Sequence, residues 1–344
     1  MEIPKIGITM GDPTGIGPEV IVKAYKEPKV MKECIPIVLG DPNVIKKTVS
    51  DLNANLGINI ISVDDIKSLK PNNKIINIVR LSNLDPMRLK IGKPDKITGK
   101  MMVTYIREAV RLALLGTINA MVTAPINKAA INNSGFNYPG HTEMLAELTR
   151  TEEYCMMLVG KKLKVSLVTT HLPIREIPNT ITPGMIFKTI RLTYEALVDY
   201  FGIKNPKIAV VALNPHAGED GLFGVEEKEL IMPGIKKAES MGIQVYGPLS
   251  ADTAFHFAYK GKYDVVVGIY HDQALIPIKM INFDDSVNVT LGLPIIRTSV
   301  DHGTAYDIAG KGIANPESMI SAILLASKMA LIKQKKQSST IVKK

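Results

Sequence analysis

Three apolar runs in the second half of the chain each lead into a histidine, and no other feature limits the fold so sharply. Residues 165–170 precede His171, residues 208–213 run through Asn214 and Pro215 to His216, and residues 263–270 precede His271. Short apolar runs bounded by turn formers read as strands buried on both faces, as in parallel sheets. A single histidine at a strand end is as a rule packed or capped. Three of them point to one shared edge, because neighbouring parallel strands end on the same side, where α/β proteins bind ligands. The pattern predicts an α/β fold. Neutral imidazoles on one edge suit a divalent transition metal, and three protein ligands leave positions open for a substrate. Asp252 and Asp272 are placed to orient those rings from behind. His256 lies in an aromatic-rich segment without turn residues and reads as structural.

The beginning of the chain reads the same way. Residues 5–10 form a short apolar strand, GDPTGIGPEV follows, and Pro18-Glu19 opens a helix reaching Tyr25. Gly11, Gly15 and Gly17 follow neither the GxGxxG nor the Walker spacing, so both an anion-facing turn and a merely tight turn stay open. Residues 35–40 and 75–79 read as further strands and 105–116 as a helix. A strand near 121 ends in Thr123, Asn127 and Lys128. YPGHTEMLAELT then sets His141 and Thr142 at a helix entrance, where Thr142 either caps the helix or meets a ligand. From 270 to 316 the chain concentrates His271, Asp272, Lys279, Asn288, Arg297 and a glycine-rich loop opening at His302, a mixture suited to holding a charged ligand.

At 344 residues and 46% hydrophobic, the chain can bury a large core, and its length favours two lobes. No stretch has the roughly 20 apolar residues of a membrane span, and the amino terminus lacks a signal-peptide pattern, so a soluble cytoplasmic protein is expected. Cys34 and Cys155 stand apart, which argues against a disulfide and a thiolate zinc site. Five of the lysines (Lys333, Lys335, Lys336, Lys343, Lys344) lie at the very end, and without them the formal charge of +9 falls to +4. With no tryptophan and no basic stripe interleaved with aromatics, nucleic acid is not an expected partner, and an anionic small molecule is. The stretch after about Met329 reads as a disordered basic tail.

GITMGDPTGIGPEV, TAPINK, YPGHTE, TTHLP, NPHAGE, YHDQ and SVNVTLGLPIIRTSVDHGTA together resemble the 4-hydroxythreonine-4-phosphate dehydrogenase (PdxA) family of vitamin B6 biosynthesis. HTEMLAELT, GEDGLFGVEE and YDIAGKG are also similar to a branch acting on D-threonate or D-erythronate 4-phosphate. The resemblance implies a two-domain α/β/α fold similar to isocitrate and isopropylmalate dehydrogenases, with mostly parallel sheets and a cleft between the lobes. A dinucleotide-binding lobe of residues 1–128 and 295–344 and a metal-binding and dimerisation lobe of 129–294 are expected.

The same resemblance implies a divalent ion (zinc, magnesium, manganese or cobalt) on His171, His216 and His271, shared between the subunits of a homodimer. It places the phosphorylated substrate on His141, Thr142, Lys279, Asn288 and Arg297. Lys279, His141 and a metal-bound water are the candidates for taking the hydroxyl proton, with Asp252 and Asp272 in support. The loop from His302 resembles the cofactor loop of isocitrate dehydrogenases, so His302, Gly303, Thr304 and Asp307 are expected to meet NAD. A carboxylate at Asp307 repels a 2′-phosphate, which favours NAD over NADP. Tyr306 stands where those enzymes often carry proline. The implied reaction is oxidation of 4-phosphooxy-L-threonine to a 3-keto acid that loses carbon dioxide, giving 3-amino-2-oxopropyl phosphate. D-threonate or D-erythronate 4-phosphate is the alternative substrate. A metal- and phosphate-binding protein without redox activity is the reading from another class.

Overall fold

The computed structural model describes residues 2–341. These divide into two compact units, one made of the residues up to Thr151 and from Leu293 onward, the other of Glu152–Gly292.

The first unit opens with strand β1 (Lys5–Thr9), helices α1 (Gly17–Tyr25) and α2 (Pro28–Glu33), strand β2 (Ile35–Gly40), helix α3 (Pro42–Asp51) and strands β3 (Gly57–Ile61) and β4 (Ile75–Arg80). Helix α4 (Lys96–Leu114), strand β5 (Ala120–Thr123) and helices α5 (Lys128–Asn133) and α6 (His141–Thr149) follow. Its strands lie in the order β3, β4, β2, β1, β5, and all pair in parallel. β1 and β2 are buried at every position, which is why they read as unbroken apolar runs. Asp95 and Thr98 form a capping box that starts α4. Met102, Val103, Ile106, Ala109 and Val110 then recur at helical spacing and pack into the core with Ile37, Leu39 and Met121.

The second unit begins with strands β6 (Cys155–Val159) and β7 (Lys164–Leu167) and helices α7 (Ile177–Thr180) and α8 (Pro183–Asp199). Strand β8 (Ile208–Val211), helix α9 (Met232–Ser240), strand β9 (Val245–Leu249), helix α10 (Ala251–Tyr259), strand β10 (Val265–Gly268), helix α11 (His271–Ile281) and strand β11 (Val287–Leu291) complete it. β7, β10, β8 and β9 are parallel neighbours in that order, and β6 pairs antiparallel with both β7 and β11. Leu158, Val165, Leu167, Val266 and Ile278 lie in its core. The chain then returns to the first unit through strand β12 (Arg297–Val300), parallel to β5, and helix α12 (Glu317–Ile341), which lies on both.

Two expectations change. Residues 129–151 were expected in the second lobe, yet α5 and α6 bury Ala130, Ile131, Met144 and Leu145 in the core of the first unit. The tail expected to be disordered after Met329 instead continues α12 to Ile341. Ala326, Met329 and Ala330 are buried at helical spacing, and the Lys/Gln-rich sequence beyond them consists of good helix formers. Lys343 and Lys344 lie outside the described residues. Among those residues no helix is long and apolar enough to cross a membrane.

Candidate active site

The three histidine-bearing strands are neighbours: β7, β10 and β8 lie side by side and parallel, so their carboxyl ends share one edge of the second unit. β7 and β10 stay together past their ends, because the Val168 and Thr169 amides donate to the Gly268 and Ile269 carbonyls. Gln273 ties in β8, accepting from the Ile269 amide at 2.8 Å and donating to the Ala212 carbonyl at 2.7 Å. The His171 and His271 rings therefore come to 5.8 Å between centroids. His271 Nδ1 lies 2.7 Å from Asp272 Oδ1. A carboxylate accepting the Nδ1 proton leaves Nε2 with its lone pair outward, the tautomer a ligand needs.

His216 takes a different course. Residues 216–220 all have positive φ, at 52°, 55°, 79°, 40° and 54°, and only the third is glycine. Each non-glycine residue in that region costs about 1 kcal/mol or more, so the turn persists only because its surroundings hold it. Glu227 provides the hold. It is 6% exposed, and its carboxylate accepts from the Leu213 and Asn214 amides at 2.8 and 2.7 Å and from the Asn214 side chain at 3.0 Å. The His216 ring lies 6.2 Å from that of Phe223. Among the described residues, no three His, Cys, Asp or Glu side chains gather closely enough to hold a metal ion. Of the three histidines, His171 and His271 make a ring contact with each other, while the ring contact of His216 is with Phe223. Asp252 is bonded to the Ser250 hydroxyl, which lowers its pKa first of all, with the His216 ring a smaller contributor.

Glu227→Ala is expected to cost about 2–4 kcal/mol of unfolding free energy, since it strands two backbone amides. Urea denaturation measures it, and a cost under about 0.5 kcal/mol would show that the turn holds itself.

The second cluster belongs to the first unit. Gly140 caps α6 and no side chain bonds to its first amides, so Thr142 is not the cap. Arg297, at the start of β12, is 2% exposed and donates to the Thr123 hydroxyl at 2.7 Å. Burial lowers its pKa to about 9 and Glu143 opposes the shift, so the guanidinium remains charged at neutral pH. His141 has its Nε2 enclosed without a hydrogen-bond partner. Burial, then Arg297 and Lys128, hold its pKa well below the ordinary imidazole value, and the ring is neutral.

That depression has a consequence for stability. The unfolded histidine takes a proton below about pH 6.5 while the folded one does not, so stability falls as pH drops below that value. His141→Gln is expected to remove up to about 1.4 kcal/mol per pH unit of that loss between pH 6.5 and 5. Chemical denaturation across that range measures it, and equal slopes in both proteins would contradict the assignment.

Of the remaining expected substrate residues, Asn288 on β11 donates to the Met156 sulfur at 3.0 Å and keeps Oδ1 enclosed without a partner. Lys279 lies on α11 with its Nζ 6.0 Å from the Phe283 ring centre.

The expected cofactor loop docks on the glycine-rich turn of the same unit. Gly11 has φ 71°, and a Cβ there would lie 2.4 Å from the Pro125 carbonyl oxygen, so only glycine fits. The Ile16 amide donates to the Thr304 carbonyl at 3.0 Å. Lys23 bonds Glu19 and the Gly312 and Ala314 carbonyls. Gly15, Val44, Lys47, Leu52, Gly310 and Gly312 help line a cavity of about 230 Å³. Asp307 is exposed, and His302 Nε2 is enclosed without a partner. Glu227, the scaffolding role of Gln273 and the bond that the Tyr306 hydroxyl donates to Asp12 Oδ2 are not legible in the sequence, for all three depend on contacts invisible in linear order.

The model of the pyridoxal phosphate biosynthetic protein PdxA matches residues 32–326. A 4-hydroxythreonine-4-phosphate dehydrogenase from Trichlorobacter lovleyi is 48% identical over 329 residues, covering 95% of this chain and 98% of that protein. A Clostridium botulinum protein, provisionally named a D-threonate 4-phosphate dehydrogenase, is 44% identical and covers 94% of this chain and 96% of its own length. The crystal structure of a 4-hydroxythreonine-4-phosphate dehydrogenase from Klebsiella pneumoniae superposes with a TM-score of 0.88 at 41% identity, covering 95% of this chain and 98% of that one. The α/β fold, the histidine-bearing strand edge and these likenesses along the whole chain agree: the protein belongs to the PdxA family, whose relatives described here are named as dehydrogenases.

Proposed function

We propose that the protein is an NAD- and divalent-metal-dependent dehydrogenase that oxidises 4-phosphooxy-L-threonine to the 3-keto acid, which decarboxylates to 3-amino-2-oxopropyl phosphate. The observation that carries this reading is the 48% identity over 95% of the chain to a relative of that name. Every residue that the family resemblance assigns to metal and substrate is present.

The donor set fits a metal in part: His171 and His271 are adjacent, and Asp272 sets the tautomer that leaves a nitrogen free to bind. We assign the third imidazole to His216 from a second copy of the chain, in a homodimer. Exposed apolar side chains stand beside each histidine in sequence, Leu172 and Ile174 after His171, Leu222 and Phe223 after His216, and Ile276 and Met280 after His271, which supports a covering partner. A divalent ion held there supplies Lewis-acid polarisation of the substrate hydroxyl.

Arg297 and Lys279 provide cationic donors for the acid and phosphate groups, and Arg297 offers a rigid fork suited to either. Asn288 adds a neutral hydrogen-bonding side chain, and Thr142 a hydroxyl. His141, kept neutral, accepts a proton or hydrogen bond that an imidazolium could not, and Lys279 is the other proton acceptor the chain offers. NAD accepts the hydride. His302, Gly303, Thr304 and Asp307 are its proposed contacts, and the neighbouring cavity of about 230 Å³ suits part of the adenosine half. The expectation of a cytoplasmic enzyme that uses neither nucleic acid nor membrane belongs to this reading.

D-threonate or D-erythronate 4-phosphate is the second reading, favoured by the clostridial relative at 44% identity. NADH formation with added metal, measured on 4-phosphooxy-L-threonine and D-erythronate 4-phosphate side by side, tests both. Activity on the amino acid alone supports the first reading and activity on the sugar acid alone the second. Silence on both overturns the dehydrogenase reading and returns the protein to metal and phosphate binding without redox chemistry.

A further inference from the structure

We infer that Tyr306 is a positioning residue that locks the cofactor loop through its bond to Asp12 and thereby sets the affinity for NAD and its preference over NADP. This rests on the NAD-dependent reading above.

Asp12 is completely buried in the glycine-rich turn. Its Oδ1 accepts from the Thr14 amide and hydroxyl, each at 2.8 Å, and its Oδ2 accepts from the Tyr306 hydroxyl at 2.5 Å. A buried carboxylate satisfied by donors from two distant segments makes a strong, directional tie. The segment it holds is not relaxed, since Ala305 has φ 42°, in the left-handed region. The Ile308 amide closes a turn onto the Ala305 carbonyl at 3.1 Å, with Tyr306 and Asp307 at its centre. On one side Thr304 is fixed to Ile16, and on the other Gly312 and Ala314 are fixed to Lys23. Within this span Tyr306 supplies the side-chain tie next to Asp307, and Asp307 is exposed, free to meet a ribose. Proline, common here in isocitrate dehydrogenases, stiffens the backbone but donates no hydrogen bond. In this chain the hydroxyl of Tyr306 adds a tie between those made by Ile16 and Lys23.

A loop already ordered in its binding shape loses less entropy on association than a loose one. Tyr306→Phe keeps the ring and removes only the donor. Calorimetry should show the NAD dissociation constant rising about tenfold, with KM for NAD rising in parallel and kcat at saturating NAD within about twofold. The NAD/NADP ratio of kcat/KM should fall, because a loose Asp307 repels the 2′-phosphate less. Asp12→Asn, which weakens the same bond from its other end, should move affinity in the same direction. An unchanged dissociation constant in both variants, or a fall in kcat with KM unchanged, overturns the inference. Lowered thermal midpoints with unaltered NAD affinity would also overturn it, by showing a structural tie only. If the wild-type protein binds no NAD at millimolar concentration, the dehydrogenase reading fails and this inference with it.

Discussion

Metal-dependent NADH formation should fall about a thousandfold or more in His171→Ala, since a bound ion contributes several kcal/mol to charge stabilisation and ~4 kcal/mol is three decades in rate. His171 is exposed, so its removal opens no core cavity and the melting curve should match that of the wild type. Its ring lies 5.8 Å from that of His271, and its loss leaves two of the three proposed imidazoles, too few to hold an ion against dilution. Bound metal, measured by atomic absorption after gel filtration, should fall together with turnover. Wild-type turnover in the variant would remove the metal from the mechanism.

Arg297→Lys should raise the substrate KM by about 30-fold to 1,000-fold, although the charge is kept. Losing one or two of the hydrogen bonds that a fork makes to a charged group costs about 2–4 kcal/mol. Lysine presents a single compact ammonium where Arg297 presents a planar fork that bonds Thr123 and faces Glu143. Initial-rate kinetics with cooperative thermal melting as the control decide the matter. An unchanged KM would take Arg297 out of substrate binding.

Features carried by local pattern were legible in the sequence. Runs buried on both faces betray themselves as unbroken apolar stretches, so β1, β2, β7, β8 and β10 were visible, and with them the shared edge bearing the histidines. Arg297 stood out because a charge between apolar runs is costly without a partner. The turn at 216–220 was not legible, because four of its five residues are not glycine and the Glu227 that holds it lies beyond the turn. The Asp12–Tyr306 bond joins residues 294 positions apart, and no periodicity encodes such a contact. The lobe boundary was misplaced because α5 and α6 are short, and their allegiance is decided by the core they enter. Charge suggests a disordered tail after Met329, where buried Ala326, Met329 and Ala330 anchor α12 and good helix formers carry it on to Ile341.

Each metal site is proposed to take His171 and His271 from one copy of the chain and His216 from another. His171→Ala and His216→Ala proteins should each be inactive alone. Unfolded together in equal amounts and refolded, they should recover about a quarter of wild-type activity, because half of the dimers are mixed and each mixed dimer rebuilds one of its two sites. No recovery from a mixture shown by mass spectrometry to contain the mixed dimer would contradict the claim.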